Sequence, residues 1–192
     1  MLTKEEFPIL EFDSNRLAKI TPDNWLKEKP APKACVITFF KEVIQKKLES
    51  GALTQLGTFY SETVNLPIYE TKYDGCSVGL VNGYVGAATS AGLLEELIAS
   101  GFEKFIVCGG AGVLQRNIQV GHLVVPSSAV RDEGTSYHYL APSREVACHP
   151  AALATIEKVL LQENISYMKA KTWTTAHGRA EKKSGVTLWI CA

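Results

Sequence analysis

The sequence lacks an excess of charge of either sign: its 192 residues include 20 Lys and Arg and 20 Asp and Glu, so the formal net charge is zero. Proteins that bind nucleic-acid duplexes usually carry a basic surplus that displaces counterions from phosphates, and we therefore expect no nucleic-acid partner. Long apolar runs are also missing, since none approaches the roughly 20 residues that a membrane-spanning helix needs. The first ten residues mix charges and proline and do not form a signal-peptide core. We expect no membrane association and a cytoplasmic location.

Paired cysteines and metal-ligand clusters are missing as well. The five cysteines are odd in number, and no two form a C-x-x-C pair; they are Cys35, Cys76, Cys108, Cys148 and Cys191. We expect reduced thiols, most of them small residues of the core. The four histidines share no ligand-like spacing with the cysteines, so the sequence predicts no structural zinc or other metal site.

What the sequence does contain is an alternation of strand and helix patterns. The apolar run Ala34 to Phe40 predicts a strand covered on both faces, and Lys41 to Ser50 predicts a helix that stops at Gly51. Asp74-Gly75 predicts a hairpin turn between Pro67–Tyr73 and Cys76–Val81. Later segments continue the pattern: helices over 87–100 and about 150–162, and strands over 105–108, 123–126 and 167–172. This alternation predicts an α/β fold, a layered α/β/α domain around a mixed sheet.

Two glycine clusters each follow a predicted strand. Ligands of open α/β sheets bind at the carboxyl ends of strands, and Gly83 and Gly86 also precede the helix that starts near Ala87, where free backbone amides can receive an anion or a sugar. The alternative is a tight turn that needs positive φ. Neither this cluster nor the one at Gly110 and Gly112 fits a dinucleotide fingerprint, so a nicotinamide cofactor is not predicted.

A polar stretch from Arg131 to Tyr139 follows the apolar strand at 123–126. One interpretation places Arg131 or His138 near a ligand or at a subunit contact. The other is a surface turn in which Asp132 and Glu133 pair with Arg131.

Several of these stretches, taken in order, resemble the nucleoside phosphorylase superfamily, in particular its uridine-phosphorylase-like members. They are Gly83-Tyr84-Val85-Gly86-Ala87-Ala88 leading into Glu95-Glu96-Leu97, Gly109 to Val113, Gly121-His122-Leu123-Val124-Val125-Pro126, and Arg131 to Tyr139. The resemblance covers about 34–175. It implies an α/β/α sandwich with a mixed sheet and a pentosyltransferase that converts a nucleoside and phosphate into a free base and a pentose 1-phosphate.

The resemblance also implies residue roles and partners. Gly83, Tyr84 and Gly86 would line the ribose, and Gly110, Ala111 and Gly112 would offer backbone amides to phosphate and sugar. Arg131 and His138 are weaker candidates that rest on local chemistry. Inorganic phosphate is the implied co-substrate, no metal or organic cofactor is implied, and a homo-oligomer (a dimer or larger) is expected.

The chain departs from the family at four places. Val107-Cys108 stands where familiar members have a phosphate-binding arginine, and Thr38-Phe39-Phe40-Lys41 replaces a glycine-aspartate-proline phosphate loop; His122 also replaces an acidic residue. After Thr175 the resemblance stops, and Trp189-Ile190-Cys191 ends the chain without an evident partner element. We therefore expect an N-terminal helical extension and connector over 1–33, an incomplete domain over 34–175 and a divergent, truncated tail over 176–192.

These departures leave three functions open. The first is a uridine-type phosphorylase. The others are an inactive module that binds a nucleoside or forms oligomers, and a nucleosidase that uses water in place of phosphate.

Overall fold

The computed structural model describes residues 4–15, 17–23, 26, 30–175 and 188–191, the last four by their backbone alone. The chain divides into two compact units, and each is described by itself. The first unit is Arg16–Gly110, and the second combines Met1–Asn15 with Ala111–Ala192. Of the helical extension expected over 1–33, residues 1–3, 16, 24, 25 and 27–29 lie outside the described residues, and Thr21, Pro22 and Asp23 are not in a helix.

The first unit is built around a five-stranded mixed sheet in the order β2-β3-β4-β1-β5. Strand β1 pairs in parallel with β4 and β5, whereas β3 runs antiparallel to β2 and β4. Two helices connect the parallel strands. The elements in chain order are β1 (Ala34–Thr38), α1 (Lys41–Glu49), β2 (Thr54–Tyr60), β3 (Asn65–Tyr73), β4 (Cys76–Asn82), α2 (Ala87–Ala99) and β5 (Lys104–Cys108).

The local signals of the sequence account for most of this unit. The predicted hairpin between β3 and β4 is confirmed, and its turn residues Asp74 and Gly75 have φ of 47° and 74°, the backbone that a two-residue turn requires. The apolar side of α2 buries Leu93 and Leu97 in the core, together with Phe102, which follows the helix. The strands and helices predicted over 34–108 are thereby confirmed, except that β1 ends at Thr38 and not at Phe40, and β2 is an additional strand.

The second unit is built around another five-stranded mixed sheet, in the order β6-β10-β9-β7-β8. Strand β9 pairs in parallel with β7 and β10, while β6 and β8 pair antiparallel to β10 and β7. Its elements are β6 (Gly112–Val113), β7 (Leu123–Asp132), β8 (Glu145–Ala147), α3 (Pro150–Gln162), β9 (Tyr167–Thr175) and β10 (Leu188–Cys191), with short 3-10 helices at Pro8–Leu10 and Thr135–His138.

Strand β7 is longer than the sequence predicts, because its pairing with β9 continues as far as Asp132 and Thr175. Buried Trp173 of β9 packs against Val130 of β7. The Trp173 indole Nε1 donates a 2.8 Å hydrogen bond to Oδ2 of Asp132. Arg131 and Asp132, expected in a loop, therefore lie in the strand.

The expectation that the end of the chain has no partner element is corrected by β10. The backbone of Leu188–Cys191 pairs in parallel with Thr172 to Thr175 of β9 and antiparallel with β6. The remainder of the predicted tail, residues 176–187 and 192, lies outside the described residues. Leu188 and Trp189 are thus paired on both sides, and Ile190 and Cys191 pair with β9.

The predicted α/β class with a mixed sheet is confirmed, since both units combine helices with parallel and antiparallel strands. Within the described ranges, no helix has the length and apolar character needed to cross a membrane.

Candidate functional site

The carboxyl ends of three parallel strands meet at one edge of the sheet in the first unit. The register places Asn82, Thr38 and Cys108, the last residues of β4, β1 and β5, in one row. The next residue of each strand forms a second row, which consists of Gly83, Phe39 and Gly109. This edge is where ligands of open α/β sheets bind, so the two rows define the candidate site.

Backbone hydrogen bonds fix the second row in place. The Gly83 N–H donates to the Thr38 carbonyl at 2.8 Å, and the Phe39 N–H donates to the Cys108 carbonyl at 2.8 Å. The strand pairing therefore continues one residue beyond β1, β4 and β5. As a result, the two glycine loops and the loop after β1 are held side by side.

The ring of Phe39 lies against both glycine loops. A Cβ atom added to Gly83 would lie 2.8 Å from both Cε2 and Cζ of Phe39, and one added to Gly109 would lie 3.2 Å from Cδ2 of the same ring. Because neither glycine has a side chain, there is room for the Phe39 ring between them. We call this space between Gly83 and Gly109 the glycine cradle.

Residues of the predicted ribose loop also pack against the core and form the turn before α2. Tyr84 packs against the hydrophobic core, and its carbonyl accepts a 3.0 Å hydrogen bond from the Ser90 hydroxyl. Gly86 has φ of 127° and immediately precedes α2, where its carbonyl accepts a 2.9 Å bond from the Ser90 N–H. The turn with positive φ that the sequence offered as an alternative is thus present at Gly86. Helix α2 begins directly after it, a few residues beyond Gly83 of the glycine cradle.

The predicted phosphate loop crosses the boundary between the two units. Gly110 ends the first unit, and an added Cβ there would have no atom within 4 Å. Ala111 and Gly112 belong to the second unit, and Gly112 begins β6. All three residues are exposed. Val107, at the position where the resemblance implies an arginine, exposes 62% of its surface.

Arg131 is held by the loop that follows it. Its guanidinium donates to the carbonyls of Leu140 (3.0 Å) and Ala141 (2.8 Å), and to the hydroxyls of Ser136 (2.9 Å) and Ser143 (2.7 Å). The Tyr137 ring also lies over its Cζ, 4.3 Å from the ring centroid. Only 6% of this residue is exposed. These contacts make Arg131 an anchor for the loop.

The neighbours of Arg131 in the polar stretch have other contacts. The Glu133 carboxylate accepts from the Ser136 N–H at 3.1 Å, and His138 is exposed in the 3-10 helix. A cavity of about 400 Å³ borders Arg131 and is also lined by Leu10, Tyr137 and Arg144. Arg131 and His138 belong to the second unit and Gly83 and Gly86 to the first.

Sequence reasoning missed Phe39 and Asn82 as site residues. Asn82 donates through Nδ2 to the Gly83 carbonyl at 3.2 Å, while its buried Oδ1 has no hydrogen-bond partner among the described residues. Phe39 belongs to the apolar run Ala34 to Phe40, which predicts a covered strand, so no local signal marked it as a site residue. The neighbouring Cys108 is half-buried, and burial raises the pKa of its thiol. The row of strand ends is therefore polar but uncharged.

The cysteines differ sharply in their expected reactivity. Burial raises the pKa of the Cys35 thiol to about 12, so almost no reactive thiolate forms at pH 8. Cys76 is exposed. We expect iodoacetamide at pH 8 to modify Cys76 and to leave Cys35 unmodified, as measured by peptide mass spectrometry. In urea both should react, and equal labelling rates in the folded protein would contradict the burial of Cys35.

Side chains that could bind a metal ion are not clustered in the described part of the chain. Among the residues that the structure describes, no group of three or more His, Cys, Asp or Glu side chains is placed to hold a metal ion.

Comparison with known proteins identifies the class of protein to which this chain belongs. The model of the phosphorylase superfamily matches residues 33–186, most of the chain. The chain belongs to the phosphorylase superfamily. The match extends beyond residue 175, where the sequence resemblance was expected to stop.

Individual relatives match a shorter part of the chain. A guanosine phosphorylase of Halorubrum lacusprofundi is 38% identical over 72 residues, which are 38% of this chain and 30% of the relative. A uridine phosphorylase of Thermococcus kodakarensis is 38% identical over 69 residues, 36% of this chain and 25% of the relative. The aligned part thus spans less than a third of these relatives.

A solved structure supports the fold over a longer range. The purine nucleoside phosphorylase of Toxoplasma gondii superimposes with a TM-score of 0.72, covering 92% of this chain and 74% of that chain at 12% identity. The match to the family model confirms the predicted membership, and this structure confirms the predicted fold class.

Proposed function

We propose that the protein cleaves the N-glycosidic bond of a nucleoside and transfers the pentosyl group to a small acceptor, releasing the free base. Uridine is the proposed nucleoside. Phosphate is the acceptor that the family resemblance implies, and water is the alternative. The observation that carries the proposal is the meeting of the two glycine loops at the carboxyl edge of β4, β1 and β5.

The physical requirements of such a reaction are modest. Positive charge develops on the sugar as the base departs, so the protein must hold the sugar and the acceptor in line and stabilise charge. Backbone groups can do this without a metal. We assign the ribose to the loop at Gly83, Tyr84 and Gly86, and the acceptor side to the loop at Gly110, Ala111 and Gly112.

The base is a separate part of the proposal. The relatives that share about 38% identity include one named for guanosine and one named for uridine. Uridine is preferred because the motifs quoted from this sequence resemble uridine phosphorylases most. Guanosine is the competing substrate in the assay.

The test is base release from uridine and from guanosine, followed by chromatography, with phosphate present and with phosphate omitted. Gly86→Ala should lower kcat/KM by at least about tenfold, because alanine disfavours the φ of 127° that positions the start of α2. Gly75→Ala is the matched control, since Gly75 has φ of 74° in the β3–β4 turn with no atom near an added Cβ. Its activity should match that of the wild type.

The outcomes separate the three functions. Release that requires phosphate identifies a phosphorylase, and release without phosphate identifies a nucleosidase. If neither nucleoside is cleaved under either condition, the proposal is wrong and an inactive binding or oligomer-forming module remains.

A further inference from the structure

The glycine cradle is already filled by a side chain of the protein itself. At Gly83 the Phe39 ring leaves too little room even for a methyl group, and at Gly109 the fit is tight. From this occupancy, and resting on the proposed glycosidic-bond cleavage, we infer that Phe39 determines the acceptor. Its ring packs against Gly109, immediately before the proposed acceptor loop at Gly110, Ala111 and Gly112, and keeps phosphate from the space between that loop and the ribose loop, so water attacks the sugar in its place.

The electrostatics of the two rows point in the same direction. Their six residues are Asn82, Thr38, Cys108, Gly83, Phe39 and Gly109, and none of them is a cation. Burying a phosphate without a cationic partner is costly. While the ring fills the cradle, these rows supply nothing that replaces the water around phosphate; once the ring is removed, water and the exposed loop at Gly110, Ala111 and Gly112 can solvate the anion.

The same strand edge suits water, which is a neutral hydrogen-bond donor. The buried Oδ1 of Asn82 has no hydrogen-bond partner among the described residues and lies one residue before Gly83. An oxygen with free lone pairs repels an oxyanion but can accept a hydrogen bond from water. Water is also small enough to approach the sugar while the Phe39 ring remains in place.

The inferred step balances with water as the only co-reactant. The bond between the anomeric carbon and the base nitrogen breaks, and its electron pair goes to the base. The water oxygen bonds to the anomeric carbon and loses a proton, and the base nitrogen gains one proton. The products are the free pentose and the free base, and nothing is oxidised or reduced.

The Phe39 side chain also has a natural internal control. Phe40, the next residue, exposes 43% of its surface and precedes α1. Phe40→Ala removes an aromatic ring of the same size without emptying the glycine cradle. Phe39→Leu keeps the cradle filled by an apolar side chain, whereas Phe39→Ala empties it.

The experiment measures base release from uridine by each full-length variant with saturating phosphate and without phosphate, and identifies the sugar product by ³¹P NMR. Wild type, Phe40→Ala and Phe39→Leu should each release base at a rate that does not depend on phosphate, and none of them should form pentose 1-phosphate. Phe39→Ala should release base at least about tenfold faster with phosphate and form pentose 1-phosphate. Thermal melting checks that each variant is folded.

Phosphate binding supplies a second readout that does not depend on turnover. Calorimetric titration with inorganic phosphate should show binding to Phe39→Ala and none to the wild type. Wild-type turnover that requires phosphate, or equal phosphate binding by both proteins, would overturn the role of Phe39 while leaving the glycosidic cleavage intact. Absence of base release from every variant would instead remove the proposed function, and the acceptor assignment with it.

Discussion

Replacing Arg131 with methionine is expected to lower the free energy of unfolding by about 3 kcal/mol. The guanidinium is 6% exposed and donates four hydrogen bonds, to two carbonyls and two hydroxyls of the loop that follows β7. Methionine has similar bulk but no donor, so these acceptors lose their shared partner. Urea denaturation followed by circular dichroism measures the change.

Two further variants show whether the donors, and not the volume or charge alone, are responsible. Lysine keeps the charge but cannot reach all four acceptors with one ammonium group, so Arg131→Lys should recover only part of the loss. Arg144 is exposed and lines the same cavity. Arg144→Met should change stability by no more than about 0.5 kcal/mol. A similarly small effect at Arg131 would show that the loop does not depend on its guanidinium.

The parts of the fold that were predictable carry strong local signals. The turn at Asp74-Gly75 needs positive φ at both residues, and these residue types tolerate it. The run of apolar and β-branched residues in β1 and the glycine after α1 likewise act within a few residues. Such signals depend on neighbouring residues alone, so the sequence is enough to place these elements.

The parts that were missed depend on contacts between distant segments. Arg131 resembles a loop residue in sequence because charged and hydroxyl side chains follow it, but its strand is fixed by pairing with Thr174 of β9. Its burial is compensated by carbonyls nine and ten residues later. Strand β2 is an edge strand with an irregular register between Gln55 and Gly57, which obscures the alternation that identifies strands.

The position of the candidate site was predictable from the sequence, but the side chain that fills it was not. Glycines after two strands marked the edge, because the position of strand ends follows from the alternation of elements. That the Phe39 ring fills the space at Gly83 and Gly109 depends on the parallel register of three strands. No pattern within one segment encodes that register, which is why the same glycines suggested an open ligand loop.

Replacing Phe102 with alanine should lower the free energy of unfolding by about 3–5 kcal/mol, a large share of the total stability of a typical domain. Phe102 is 1% exposed and belongs to the core of the first unit. Truncation removes the burial of a whole ring and leaves a cavity that β4 and α2 cannot easily close. Tyr60→Ala, which removes an exposed ring from β2, is the control and should have little effect.

The cause of that loss can be tested through Gly79, which faces the same ring. A Cβ atom at Gly79 would lie 2.4 Å from Cε1 of Phe102, so Gly79→Ala should destabilise the wild type by forcing the buried ring aside. In the Phe102→Ala background the ring is gone, and most of the penalty at Gly79 should disappear. A double-mutant cycle on unfolding free energies should therefore give a coupling energy well above that of independent sites, which is at most about 0.5 kcal/mol. Additive effects would mean that β4 shifts to accommodate the methyl group, and the core at this position would then be less closely packed than the contact with Phe102 implies.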